Sequence, residues 1–192
     1  HKDTFTFEEL FLALLKYGNT FLITPTFMAR KEIFQELGPF STEGLFGTSA
    51  DLEMWLRIAK KYPIGIIKEP LIQRRVGGGG KQHNKKRTET AGFFKVMDYY
   101  LKDLPKPDAK SMRQYRYQKN FDNVLVAMNL VTQDNLKEAK KMITRSFSGD
   151  HFLAFFENMN TLRLKVLLLQ CFLFIGLNLG LGKQMKSILQ KI

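Results

Sequence analysis

Cysteine is almost absent: Cys171 is the only one in 192 residues. A single thiol excludes an intrachain disulfide, so the fold must rest on apolar burial, and this usage fits a reducing compartment. Cys171 stands inside an apolar run, the setting of an inert thiol. Histidine is scarce too. His1, His83 and His151 lie far apart, and no metal-ligand spacing is visible among them. Acidic residues are outnumbered, with 18 Asp+Glu against 30 Lys+Arg, a formal charge of +12. That excess favours phosphates, nucleic acid or anionic lipid headgroups. No helix-turn-helix, zinc or aromatic RNA-binding motif accompanies it, which argues against nucleic acid. A signal-peptide pattern is also missing, and the chain opens on His1 rather than Met, so it reads as part of a longer polypeptide or a processed one.

What is present is ordinary globular composition, 44% hydrophobic and 25% charged, enough for one domain or one domain with an appendage. Seventeen Phe point to a Phe-rich core or an apolar surface. Thr6 to Tyr17 predicts a helix, with Thr6 as cap, Glu8 and Glu9 in the first turn and Gly18 as stop. Phe21 to Ala29 is apolar and β-rich, a candidate buried strand that Pro25 bends or pushes to an edge. Lys31 to Leu37 reads as a short helix ended by Gly38-Pro39. A Gly- and Ser/Thr-containing loop, 40–49, then leads into a helix over 51–61. Ile64 to Ile67, a continuous apolar run, reads as a buried strand, and Leu71 to Val76 as another extended segment. Beyond the break Gly77-Gly78-Gly79-Gly80 and the polar run 81–87 the pattern turns helical, with helices expected near 88–103, 108–132, 134–147 and 151–191. The last is broken at Gly176, Gly180 or Gly182. The expectation is a mixed α/β front part, residues 1–80, and an all-α region, residues 81–192, with the glycine run as hinge.

The sharpest feature is the run Asp51-Leu52-Glu53-Met54-Trp55-Leu56-Arg57. Leu52, Trp55, Leu56 and Ala59 fall at i, i+3, i+4 and i+7, which puts one apolar face on a helix starting near Asp51. At that start the unpaired N–H groups and the macrodipole favour a carboxylate. Asp51 is therefore either a helix-start acid or a general base presented at a cleft. Glu53 either complements the dipole or contacts a substrate. Trp55 lies on the apolar face, which makes it a core residue first and a sugar-stacking platform second. Arg57 stands at i+4 from Glu53 and can pair with it. Arg74 and Arg75 are candidates for a diphosphate, because guanidinium forks match its oxygens and the following glycines can offer N–H groups. The glycines lack the context of a phosphate-binding loop, so a flexible lid or a linker is the expectation for Gly77–Gly80.

These residues, in this order, resemble the acceptor-side half of a family 2 glycosyltransferase of the GT-A fold. The landmarks are Gly18-Asn19, the segment ending in Met28-Ala29-Arg30, the Ile33…Leu37-Gly38…Phe40 turn, the Asp51–Arg57 helix, then Ile64-Gly65-Ile66 and Glu69-Pro70-Leu71; together they cover about residues 5 to 80. The resemblance implies a partial GT-A-like mixed sheet with flanking helices. It implies an inverting transferase that moves a sugar from a nucleotide-sugar donor to a glycan or lipid-linked acceptor in cell-envelope polysaccharide synthesis, with Asp51 as base. Two positions depart from the pattern. Ala50 replaces the Glu of the family's acidic pair, and Gly77 stands where relatives carry a histidine. The family's D-x-D motif, which binds the metal and donor diphosphate, occurs nowhere in this chain. The resemblance thus implies that Mg or Mn belongs to a full-length enzyme, that no cofactor or metal is held here, and that the chain alone is inactive.

A second apolar feature lies in 162–182. Val166 to Leu181 is a run of 16 residues interrupted only by Gln170 and Asn178, short of the roughly 20 that span a bilayer. Arg163, Lys165, Lys183 and Lys186 flank it. It reads as an interfacial anchor or as a buried core helix. With the positive charge, the anchor reading places the protein in the cytoplasm, peripheral on the inner face of the membrane. The alternative to an enzyme is a non-catalytic basic helical module that meets an anionic membrane or a protein partner.

Overall fold

The structure is a computed structural model that describes residues 4–41, 44, 46–73, 87–104, 106–157 and 160–190, without the side chains at 150, 151 and 154. The protein is mostly helical. Among the described residues there are nine α-helices and a single two-stranded antiparallel sheet. Two compact units emerge, one from residues 1–79 and 91–112, the other from 80–90 and 113–192.

In the first unit, β1 (Thr4–Phe5) pairs with β2 (Ile64–Gly65), Thr4 opposite Gly65 and Phe5 opposite Ile64. Between them come α1 (Phe7–Tyr17), α2 (Lys31–Leu37) and α3 (Ala50–Ala59). The start of α1 is a capping box: the Glu9 N–H donates to Thr6 Oγ1 at 3.4 Å, and the Thr6 N–H donates to Glu9 Oε2 at 3.0 Å. Two of the helix's orphan donors are thereby satisfied locally. Leu10, Phe11, Leu14 and Leu15 form its buried face. Gly38 closes α2 at φ +83°, a left-handed value that strains any residue with a Cβ.

The mixed sheet expected for the front part is not formed among the described residues. Phe21–Ala29 is not a strand; its centre, Thr24–Thr26, is a 3₁₀ turn. Pro25 supplies the reason: it has no N–H to give a ladder, and its fixed φ suits the first turn of a helix. Of Ile64–Ile67 only Ile64 and Gly65 pair, and Ile66 and Ile67 are exposed rather than buried, because among the described residues no second sheet or helix covers so short a ladder. Leu71–Gln73 is also outside any strand, and the remainder of that expected segment lies outside the described residues. α4 (Gly92–Tyr100) and the 3₁₀ turn Leu101–Asp103 return to this unit. The first residue of α4 sits so close to the α3 approach that a Cβ on Gly92 would lie 2.1 Å from the Phe46 carbonyl oxygen.

α5 (Ala109–Thr132) begins in the first unit and continues in the second, which then contains α6 (Leu136–Ser146), α7 (Gly149–Glu157), α8 (Thr161–Asn178) and α9 (Gly182–Leu189). The helical C-terminal region is as expected, with sharper punctuation. Asn135 and Asn160 cap α6 and α8 by accepting from the N–H groups of Glu138 and Arg163. Gly180, at φ +75°, turns the chain from α8 into α9. The core of this unit joins Val124, Ala127 and Val131 of α5, Ala139 and Ile143 of α6, Leu173 and Leu177 of α8, and Met185 of α9. α8 packs chiefly on α6.

Candidate functional site

The N-terminus of α3 gathers the residues singled out by sequence. Ser49 precedes the helix without a side-chain capping bond, and of the two acids in the first turn it is Asp51 that meets the helix start. Asp51 is the second helical residue and half-buried. Its Oδ1 accepts from the Leu52 N–H at 2.7 Å, and its Oδ2 accepts from the hydroxyl of Thr24 on the 3₁₀ turn. The carboxylate is therefore held between its own helix start and the neighbouring turn.

Glu53 is turned inward and only 6% exposed. The Tyr100 hydroxyl donates to its Oε1 at 2.9 Å, and Arg57 Nη2 donates to its Oε2 at 3.1 Å. Burial, and then the Glu53 carboxylate, push the Tyr100 hydroxyl above the ordinary phenol range. Arg57 also reaches out of α3. Its Nη1 donates to the Leu37 carbonyl at 2.7 Å and its Nη2 to the Pro39 carbonyl at 2.8 Å. These carbonyls border the helix stop at Gly38, so one guanidinium ties the α2 exit to α3. Trp55 is a core group: its ring stacks on Phe27 with centroids 3.6 Å apart and meets Phe40 edge-on at 5.7 Å. Met54, Trp55 and Ile58 pack against Leu22, Phe27, Ile33 and Phe34.

The motif thus splits by orientation. Asp51 stays partly accessible, whereas Glu53, Trp55 and Arg57 fasten α3 to α2, α4 and the Phe21–Ala29 segment. The i, i+4 pairing of Glu53 with Arg57 was legible from spacing. Tyr100 was not, because no motif links it to Glu53 across 47 positions. Arg74, Arg75, Gly77, Gly78, Gly79, Gly80 and His83 lie outside the described residues.

A cleft of about 620 Å³ opens in the same unit, with Phe27, Arg30, Glu32, Ile58 and Tyr62 in its wall. Asp51 is not part of that wall. The 3₁₀ turn connects the two features, for Thr26 lines the cleft and Thr24 binds Asp51. Among the described residues no group of three or more His, Cys, Asp or Glu side chains is arranged to hold a metal ion. No family model, curated protein or solved structure matches the chain.

Proposed function

We propose that this chain carries the acceptor-side, catalytic-base part of an inverting glycosyltransferase with a GT-A-like fold. The observation that supports the reading is the division of labour on α3: one carboxylate, Asp51, remains partly accessible at the helix start, and the other motif residues brace the helix that presents it. In the reaction, Asp51 takes the proton of an acceptor hydroxyl while that oxygen bonds to the anomeric carbon of a nucleotide sugar. The bond from that carbon to the diphosphate oxygen breaks, its electron pair leaves with the nucleotide, and the configuration inverts. Thr24 orients the base by holding one oxygen, leaving the remaining lone pairs for the acceptor. The divalent metal that such chemistry uses finds no matching donor set among the described residues, and no step is assigned to it. A lipid-linked or glycan acceptor at the inner face of a cell membrane fits the positive charge of the chain.

The test is transfer of labelled sugar from a panel of nucleotide sugars by this chain expressed with the sequence that flanks it in its gene. Asp51→Asn should lower turnover by about 10²–10⁴-fold, with folding and nucleotide binding largely intact. An Asn variant as active as the parent would leave Asp51 as a helix-start acid and remove the assignment.

A further inference from the structure

α8 is apolar on every side, yet it is buried on only one. Val166, Gln170, Leu173 and Leu177 face the α6 side and are buried. Leu164, Leu168, Phe172, Ile175 and Leu179 recur at intervals of four, four, three and four, a spacing that forms one stripe along a helix. All five are exposed, Leu168 at 61% and Leu179 at 67%. An apolar row of this length marks an interaction surface.

The charge around the row selects its partner. After Glu157 the sequence contains Arg163, Lys165, Lys183, Lys186 and Lys191 and no acidic residue at all. Lys165, one position after Leu164, flanks the row and is exposed, as is Lys183 on α9. Lys186 is engaged by the Asp134 carboxylate, but apolar side chains accompanied by the exposed Lys165 and Lys183 complement a bilayer surface that bears anionic headgroups.

The packing of the opposite face decides how the helix meets the lipid. By length and composition α8 passes for a membrane span. Crossing the bilayer would strip it from α6, however, and would expose buried Gln170, whose Nε2 donates to Ser146 Oγ at 2.9 Å. A span also needs about 20 apolar residues, and α8 has 18 in all. We propose that α8 lies flat on an anionic membrane surface, its Leu164–Leu179 row in the acyl boundary and Lys165 and Lys183 among the headgroups. The inference stands on the helical unit and does not depend on the role of Asp51.

Flotation of the whole chain with vesicles tests it. Binding should be at least about tenfold tighter to phosphatidylcholine vesicles containing phosphatidylglycerol than to phosphatidylcholine alone, and it should weaken as salt is raised. Leu168→Glu/Ile175→Glu should abolish binding with an unchanged circular dichroism spectrum. Lys165→Glu/Lys183→Glu, which leaves the apolar row intact, should lose the preference for anionic vesicles. The proposal is overturned if the wild type ignores both vesicle types, or if either double variant binds like the wild type. It is overturned equally if the bound chain resists alkaline carbonate extraction, which would indicate a span. A wild-type dimer that Leu168→Glu/Ile175→Glu makes monomeric, without any vesicle binding, would assign the row to a second copy instead.

Discussion

Glu53, Arg57 and Tyr100 form a buried polar cluster in which each group answers a need of another. The carboxylate lost its water and receives a phenol and a guanidinium in return; the guanidinium also serves two carbonyls beside the α2 stop. Removing one partner leaves the rest buried and unsatisfied, which costs more than the bond itself contributes. Tyr100→Phe should therefore destabilise the protein by about 1–3 kcal/mol, read from urea unfolding. The pH dependence has a definite sign. The Tyr100 hydroxyl is raised in the folded state, so its contribution is fully present below the unfolded phenol value of about 10 and is lost as pH rises beyond it. Wild-type stability should fall through that alkaline window, and the Phe variant should lack that part of the decline. Asp51 differs from Glu53 in kind: half-buried, with short-range partners on the helix start and the adjacent turn, it stays open to a further group.

At the level of elements, local chemistry placed most of the boundaries. Thr6 and Glu9 were recognisable as a helix start before any fold was considered, because a capping box needs only residues three apart. Thr6→Ala should cost about 1 kcal/mol in a thermal or denaturant melt. Gly18, Gly38 and Gly180 end α1, α2 and α8 at positive φ, which a Cβ disfavours. The strands fared differently. An apolar run such as Phe21–Ala29 becomes a strand only if a neighbouring chain offers a ladder, and Pro25 removes a donor from it. The segment instead lends Phe27 to Trp55 and Thr24 to Asp51.

For the whole molecule, the contrast between the two faces of α8 sets the expected behaviour. Leu173 is fully buried in the second unit's core, whereas Leu168 on the same helix is exposed. Leu173→Glu should unfold that unit, since it buries an unpaired charge. The Leu168→Glu/Ile175→Glu variant should melt within about 0.5 kcal/mol of wild type, the usual range for surface changes. Differential scanning calorimetry distinguishes the two. A large loss of stability from the Leu168/Ile175 pair would mean that these side chains are packed within the fold.

What the chain determined by itself is everything that depends on neighbours within a turn or two: the helix of Thr6–Tyr17 and its cap, the stop at Gly38-Pro39, the Glu53–Arg57 pair, the apolar face that carries Trp55, and a break of the last helical stretch at one of Gly176, Gly180 and Gly182. Those features follow from short-range hydrogen bonds, side-chain period and backbone sterics. Tertiary structure decided the rest: that Tyr100 answers Glu53, that Phe21–Ala29 turns instead of pairing, that 91–112 belong with the front unit, and that one side of α8 is covered while the other is bare. Each of these depends on which distant surface arrives to supply a donor, a ladder or a packing partner. Apolar periodicity states that a face can be buried; only the assembled fold determines what buries it.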